Sequence, residues 1–173
     1  MVKNKIVLMF LFIVSIACAQ QKTEDVSLKE MKQVWATFLS TLKTKDTVKF
    51  KQLSALKIRC YNCLENTLKE QKKLAYSRDN DEDWYAKIYE QDIYIPITKF
   101  LAEDYNLIFT HHFIGLLAES ETIYVNHAIE AVNYIEVLVT TTKPTKFHEG
   151  GQHTFRFVKQ NKIWVLDELS TIP

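Results

Sequence analysis

Two hydrophobic periods divide this chain, and their order constrains the fold more than any other feature. Between residues 28 and 42, Leu28, Met31, Trp35, Phe38 and Leu42 recur at three- and four-residue steps. That spacing lays one apolar stripe along a helix running to about Lys43. Near the C-terminus the period falls to two. His153, Phe155 and Phe157 alternate with Thr154, Arg156 and Val158, and Trp164, Leu166 and Glu168 alternate with Val165, Asp167 and Leu169. Gln160-Asn161 between them reads as a hairpin turn. Two more strand-rich runs precede the hairpin: 122–129, with Ile123, Tyr124 and Val125, and 133–142, with Ile135, Val137 and Val139. Helical patterns first and strands last predict an α+β domain, its N-terminal helices packed on one face of an antiparallel sheet formed mainly by the C-terminal third. At 173 residues the chain is long enough for one domain with one sizeable core.

Local signals fill in the rest. Ser27-Leu28-Lys29-Glu30 has the form of a capping box, with Val26 and Met31 at the positions of a hydrophobic staple. Thr44-Lys45-Asp46 reads as a turn, and Asp46 as the cap of a short helix carrying Val48 and Leu53. Leu56, Ile58 and Cys60 alternate with Lys57 and Arg59, which suggests a short strand. Leu64, Leu68 and Ala75 mark a partial helix, and the polar run Arg78 to Asp83 reads as a solvated loop. Pro96 suits the first turn of a helix bearing Phe100 and Leu101. Thr110 can cap another, with Phe113, Ile114 and Leu117 inside, and Lys143 to Gly151 is a loop.

The first residues form a leader. Lys3 and Lys5 precede an apolar run from Ile6 to Ala17, broken only by Ser15, and Ala17-Cys18-Ala19 follows. This is the layout of a secretory signal peptide, and the run is too short to span a bilayer. Two processing sites compete. Cleavage after Ala19 would start the mature chain at Gln20. Ser15-Ile16-Ala17-Cys18 instead resembles a bacterial lipoprotein signal, with Cys18 as the lipid-modified first residue and residues 18–26 as a polar tether; the usual Leu three residues before the cysteine is replaced by Ser15. Either route predicts an exported protein, periplasmic or held on the cell envelope by lipid. Loss of Lys3 and Lys5 with residues 1–17 takes the side-chain balance from +1 to −1.

Composition excludes several functions. Three glycines, with no G-x-G-x-x-G and no G-x-x-x-x-G-K-[ST], leave nothing to build a phosphate-cradling loop. A near-neutral charge argues against a nucleic-acid surface. Ser120 and Ser170 lie in no G-x-S-x-G elbow. Cys60-Tyr61-Asn62-Cys63 has the spacing of a redox or metal motif, but no Trp precedes it, no Pro separates the cysteines and no βαβ pattern surrounds it. In an exported protein a structural disulfide is the favoured reading, with a thiol-redox or metal role as the alternative. His111 and His112 are adjacent, so on a helix they point about 100° apart and rarely share a metal. No cofactor or metal is expected. The 21 aromatic residues supply core and could also line an apolar ligand pocket.

Three segments carry a resemblance. They are Phe38 to Asp46, the mid-chain Lys99-Phe100-Leu101, Ile108-Phe109-Thr110 and Phe113-Ile114, and the closing Thr154 to Leu169. Together they resemble the NTF2-like superfamily, and in particular its small exported bacterial members. The resemblance implies a single domain over 27–173, in which helices wrap a curved sheet into a cone with an internal pocket. Residues 61–90 depart from that pattern and read as an insertion over the pocket mouth. Some members of the superfamily are isomerases, lyases or dehydratases; many are binding or dimerisation modules.

The resemblance also supplies candidate catalytic residues. Acid–base members use a carboxylate with a Tyr or acid donor. Here Asp167 with Tyr134 or Tyr124, and His127, could occupy inward sheet positions. With no recognisable catalytic set, the favoured expectation is a non-enzymatic module. It would bind a small apolar ligand or an envelope protein, with a homodimer left open and no nucleic acid as partner. An isomerase or lyase using a pocket carboxylate or a His as base is the alternative.

Overall fold

Residues 26–129, 132–148 and 150–172 are described by a computed structural model; Cys18, the leader and most of the proposed tether lie outside them. Helix α1 covers 26–44 and buries Met31, Trp35, Phe38 and Leu42 along the expected stripe. Val26 is already helical, so Ser27 is not the N-cap. The carboxylate of Glu30 instead accepts hydrogen bonds from Lys159 Nζ (2.8 Å) and the Trp164 indole (3.1 Å), which pins α1 to the sheet and lowers the Glu30 pKa. The turn after α1 passes through Lys45 in the left-handed region, φ 53°. Asp46 then caps α2 (Thr47–Gln52) by accepting the Lys49 N–H at 2.8 Å. The inward residue of α2 is Phe50, while Val48 is exposed and Leu53 follows the helix as its C-cap.

Strand β1 (Ser54–Arg59) buries Ala55 and Ile58. Its pairing slips between Ser54 and Arg59, and this irregularity turns Leu56 out to solvent against the expected alternation. A single 3₁₀ turn (Asn62–Leu64) leads to α3 (Leu68–Asn80). Helix α3 is longer than the partial helix expected, and Arg78 to Asn80, expected in a loop, are its last residues. Thr67 and Glu70 fix its start by a reciprocal capping box. Helix α4 (Trp84–Lys87) continues into a π turn (Ile88–Asp92), then β2 (Tyr94–Pro96), α5 (Ile97–Glu103), α6 (Tyr105–Ile108) and α7 (His111–Glu119). Pro96 ends β2 and opens α5, and the Thr110 hydroxyl accepts the Phe113 N–H to cap α7.

Four strands complete the chain: β3 (Thr122–Ile129), β4 (Val132–Thr142), β5 (Gly151–Gln160) and β6 (Ile163–Ile172). The sheet order is β2-β1-β6-β5-β4-β3, curved and not closed. Strands β3 to β6 form an antiparallel meander, but β1 runs parallel to β6. The sheet is therefore mixed, not antiparallel throughout. The cause is the long excursion between Arg59 and Ile163, which allows the crossover a parallel pair needs and a hairpin cannot supply.

One face of the sheet packs on the helices. Ile135, Val137 and Val139 of β4, Phe155 and Phe157 of β5, and Leu166 and Leu169 of β6 meet Met31, Trp35, Phe38, Phe50, Phe100 and Phe109. Phe38 is the hub: its ring lies 5.4 to 6.1 Å from those of Trp35, Phe50, Phe109, Phe155 and Phe157. Aromatic side chains thus form the contact between helices and sheet around Phe38. A second, smaller cluster of Leu74, Ile88 and Ile93, flanked by Tyr61, Leu64, Trp84 and Tyr89, lies beneath α3 and the π turn.

Candidate functional site

The three candidate catalytic residues lie on the sheet face turned away from the helices, not in a cone interior. Parity decides this. Ile135 and Val137 point to the helices, so Tyr134 and Glu136 point the other way, as does Arg156 between Phe155 and Phe157. On β6 the pairs Arg156↔Glu168 and Phe157↔Leu166 leave Asp167 as a bulged extra residue. Asp167 and Glu168 therefore both reach Arg156. Its Nε and Nη2 each donate to an Asp167 oxygen at 2.9 Å, and its Nη1 reaches Glu168 at 2.8 Å. Burial, the largest single influence, opposes the charge of Arg156, but the Asp167 hydrogen bonds together with the charges of Asp167 and Glu168 outweigh it and raise the guanidinium pKa.

The ladder extends both ways. Arg59 of β1 pairs with Glu168. The Arg156 guanidinium sits 5.5 Å from the centre of the Tyr134 ring, and His127 stacks on that ring at 4.6 Å while bonding Glu136 at 2.8 Å. Asp167, Tyr134 and His127 are thus brought to one face, but through Arg156, not as an acid–base pair. A carboxylate with both oxygens held by one guanidinium is a positioned anion whose acceptor sites are already engaged. Tyr124, the other proposed partner, packs on the helix side, where burial raises its phenol pKa.

Sequence reasoning passed over His153. It shares the helix-side parity of Phe155 and Phe157, lies 4.6 Å from the Phe113 ring, and joins Thr141 (2.9 Å) to Thr171 (3.1 Å) through its two nitrogens. Burial lowers its pKa, which favours the neutral imidazole. The signal was its place in the alternation of β5. His111 and His112 are exposed in the first turn of α7. Among the described residues, no group of three or more His, Cys, Asp or Glu side chains is placed to hold a metal.

Cys60 and Cys63 form a disulfide, with Cα atoms 5.4 Å apart. Both cysteines are buried, and the Cys60 N–H is tied to the Ile93 carbonyl at 2.8 Å. The 3₁₀ turn that follows is three residues long, so no extended helix dipole faces either sulfur. The bridge instead closes the turn by which the chain leaves β1, and both its sulfurs belong to the main core.

Beside this bridge lies an open groove of about 300 Å³. Its floor is apolar: Cys63 and Leu64 from the 3₁₀ turn, Leu74 from α3 and Ile88 from the π turn. Its rim carries Glu70, Lys73, Asp81, Lys87, Asp92 and Lys99. A second space shares Glu70 and Lys73 with it, but Leu107 is its only apolar lining residue. The groove is lined by residues between Cys63 and Ile88, by Asp92 and by Lys99 at the start of α5.

Comparison of the chain with protein-family models, with curated proteins and with solved structures returned no match. Fold and site together define a class: an α+β domain with N-terminal helices on a curved, open, mixed six-stranded sheet, and an apolar groove beside a buried disulfide. Among the described residues no helix is long and apolar enough to cross a membrane.

Proposed function

We propose that this chain is an exported, NTF2-like envelope protein whose domain binds a small ligand in the groove beside Cys63 and catalyses no reaction. The observation that carries this is the location of open space. Around Phe38 the helices and the sheet pack ring on ring, whereas the groove under α3 is open, with an apolar floor and a charged rim. A concave apolar site edged by a few polar groups is the usual form of a small-molecule site. The leader supports export, and a buried disulfide suits an oxidising compartment. Lipidation at Cys18 would hold the domain at the membrane surface. Asp167 and His127 support the binding reading, because Arg156 holds the one and Glu136 the other on the outer sheet face.

The test is thermal unfolding of the mature chain with a panel of small amphipathic compounds, compared with a Leu64→Trp variant that fills the groove. Compounds that raise the wild-type midpoint should lose their effect in the variant. Stabilisation that survives Leu64→Trp, with conversion of a compound that Asp167→Asn abolishes, would overturn this reading in favour of an isomerase or lyase.

A further inference from the structure

The charges on the groove rim are unequal in their commitments. Lys87 pairs with Asp81 at 3.4 Å, and Asp81 also accepts the Ser77 hydroxyl at 2.6 Å. Lys99 pairs with Glu103 at 3.8 Å. Glu70 accepts both the N–H (2.9 Å) and the hydroxyl (2.8 Å) of Thr67 in the α3 capping box. Glu70, though without an ion pair, is thus held by its own cap, and among the described residues this leaves one cation and one anion on the rim with neither an ion pair nor a side-chain hydrogen bond: Lys73 on α3 and Asp92 at the end of the π turn.

The backbone sets these two charges on different elements above a shared floor. Lys73 precedes Leu74, and Asp92 lies one turn beyond Ile88. The Ile93 N–H donates to the Ile88 carbonyl at 3.1 Å, five residues back, and this widened turn places Asp92 on the rim. Single π turns of this kind recur at functional sites.

We infer that the groove takes a small zwitterion with one apolar side chain: an apolar α-amino acid, free or as a two-residue peptide. The inference rests on the binding function proposed above and names its ligand class. Lys73 receives the carboxylate, Asp92 receives the ammonium, and the side chain lies on Leu64, Leu74 and Ile88. Size agrees. The roughly 300 Å³ available accommodates a residue the size of leucine or isoleucine, and the open side of the groove would let the second residue of a dipeptide extend outward. A purely anionic amphiphile would leave Asp92 facing its chain, and a purely cationic one would leave Lys73 unanswered.

The test is isothermal titration calorimetry of the mature protein with four probes: L-leucine, L-leucinamide, N-acetyl-L-leucine and leucyl-leucine. Wild type, Lys73→Gln and Asp92→Asn are compared; both positions are on exposed or rim surface, so the variants keep the fold. Each variant should weaken L-leucine about tenfold, the lower end for losing a charged hydrogen bond. Lys73→Gln should leave leucinamide binding unchanged, because that probe has no carboxylate. Asp92→Asn should likewise leave N-acetyl-leucine unchanged. Tighter binding of leucyl-leucine than of leucine identifies the peptide as the source, and the reverse identifies the free amino acid. Equal binding of leucine, leucinamide and N-acetyl-leucine, or no heat with any probe at millimolar concentration, would overturn the zwitterion. If other compounds then still stabilise the protein in a way that Leu64→Trp abolishes, the groove remains the binding site and only the ligand class falls. If none do, both fall.

Discussion

Replacing Phe38 by alanine tests whether the space between helices and sheet is packed core or an open pocket. Phe38 is fully buried, and its ring neighbours five other aromatic rings contributed by α1, α2, β5 and the segment after α6. Truncation removes the transfer free energy of the ring and leaves a cavity that this many rigid neighbours cannot close. The expected cost is about 3–5 kcal/mol, toward the upper end because all five ring contacts are lost. For a domain of this size that corresponds to a midpoint lower by roughly 6–20 °C. Urea unfolding of wild type and Phe38→Ala, followed by tryptophan fluorescence, measures it, and the dry cavity should take up xenon. A loss under about 1.5 kcal/mol would refute the packing argument, since only a site already open to water or able to collapse fully would tolerate the change so well.

Further expectations concern the ladder, the buried histidine and the disulfide. Asp167→Asn should destabilise by about 1–3 kcal/mol in chemical denaturation, because the half-buried Arg156 then keeps only Glu168 as an ionic partner. Burial depresses the His153 pKa below its ordinary value of 6.5, so the unfolded chain takes up the proton first. The stability His153 contributes is thus complete above that value and declines as pH falls below it; the urea midpoint of His153→Gln should drop less than that of wild type between pH 7.5 and 5.5. Cys60→Ala with Cys63→Ala should cost about 2 kcal/mol from closing so short a loop. Thiol titration of the native protein under mild reductant should find both sulfurs unreactive until the chain is unfolded.

What the sequence revealed was what its local patterns encode. The α1 stripe, the Asp46 and Thr110 caps and the β5–β6 hairpin were legible because each depends on residues within a turn or two. Helix α3 was not, because Leu74 is its only fully buried residue and its charged surface carries no stripe. Its one clear mark was the capping box of Thr67 and Glu70. The parallel pairing of β1 with β6 joins residues more than a hundred positions apart, beyond any local signal. Which of Asp167 and Glu168 would face Arg156 was undecidable from alternation, and the bulge makes the answer both. The groove escaped for the first two reasons together: its floor combines Cys63 and Leu64, Leu74, and Ile88 from three separate elements, one of them the polar α3.

The measurement that most directly tests where this protein binds is NMR mapping of backbone amide shifts during titration with L-leucine. We expect saturable shifts concentrated at Leu64, Lys73, Leu74, Ile88 and Asp92, the floor and free charges of the groove, with β4 and β5 unmoved. Shifts centred on His127, Tyr134, Arg156 and Asp167, or no saturable shifts at all, would contradict the assignment of ligand binding to the groove.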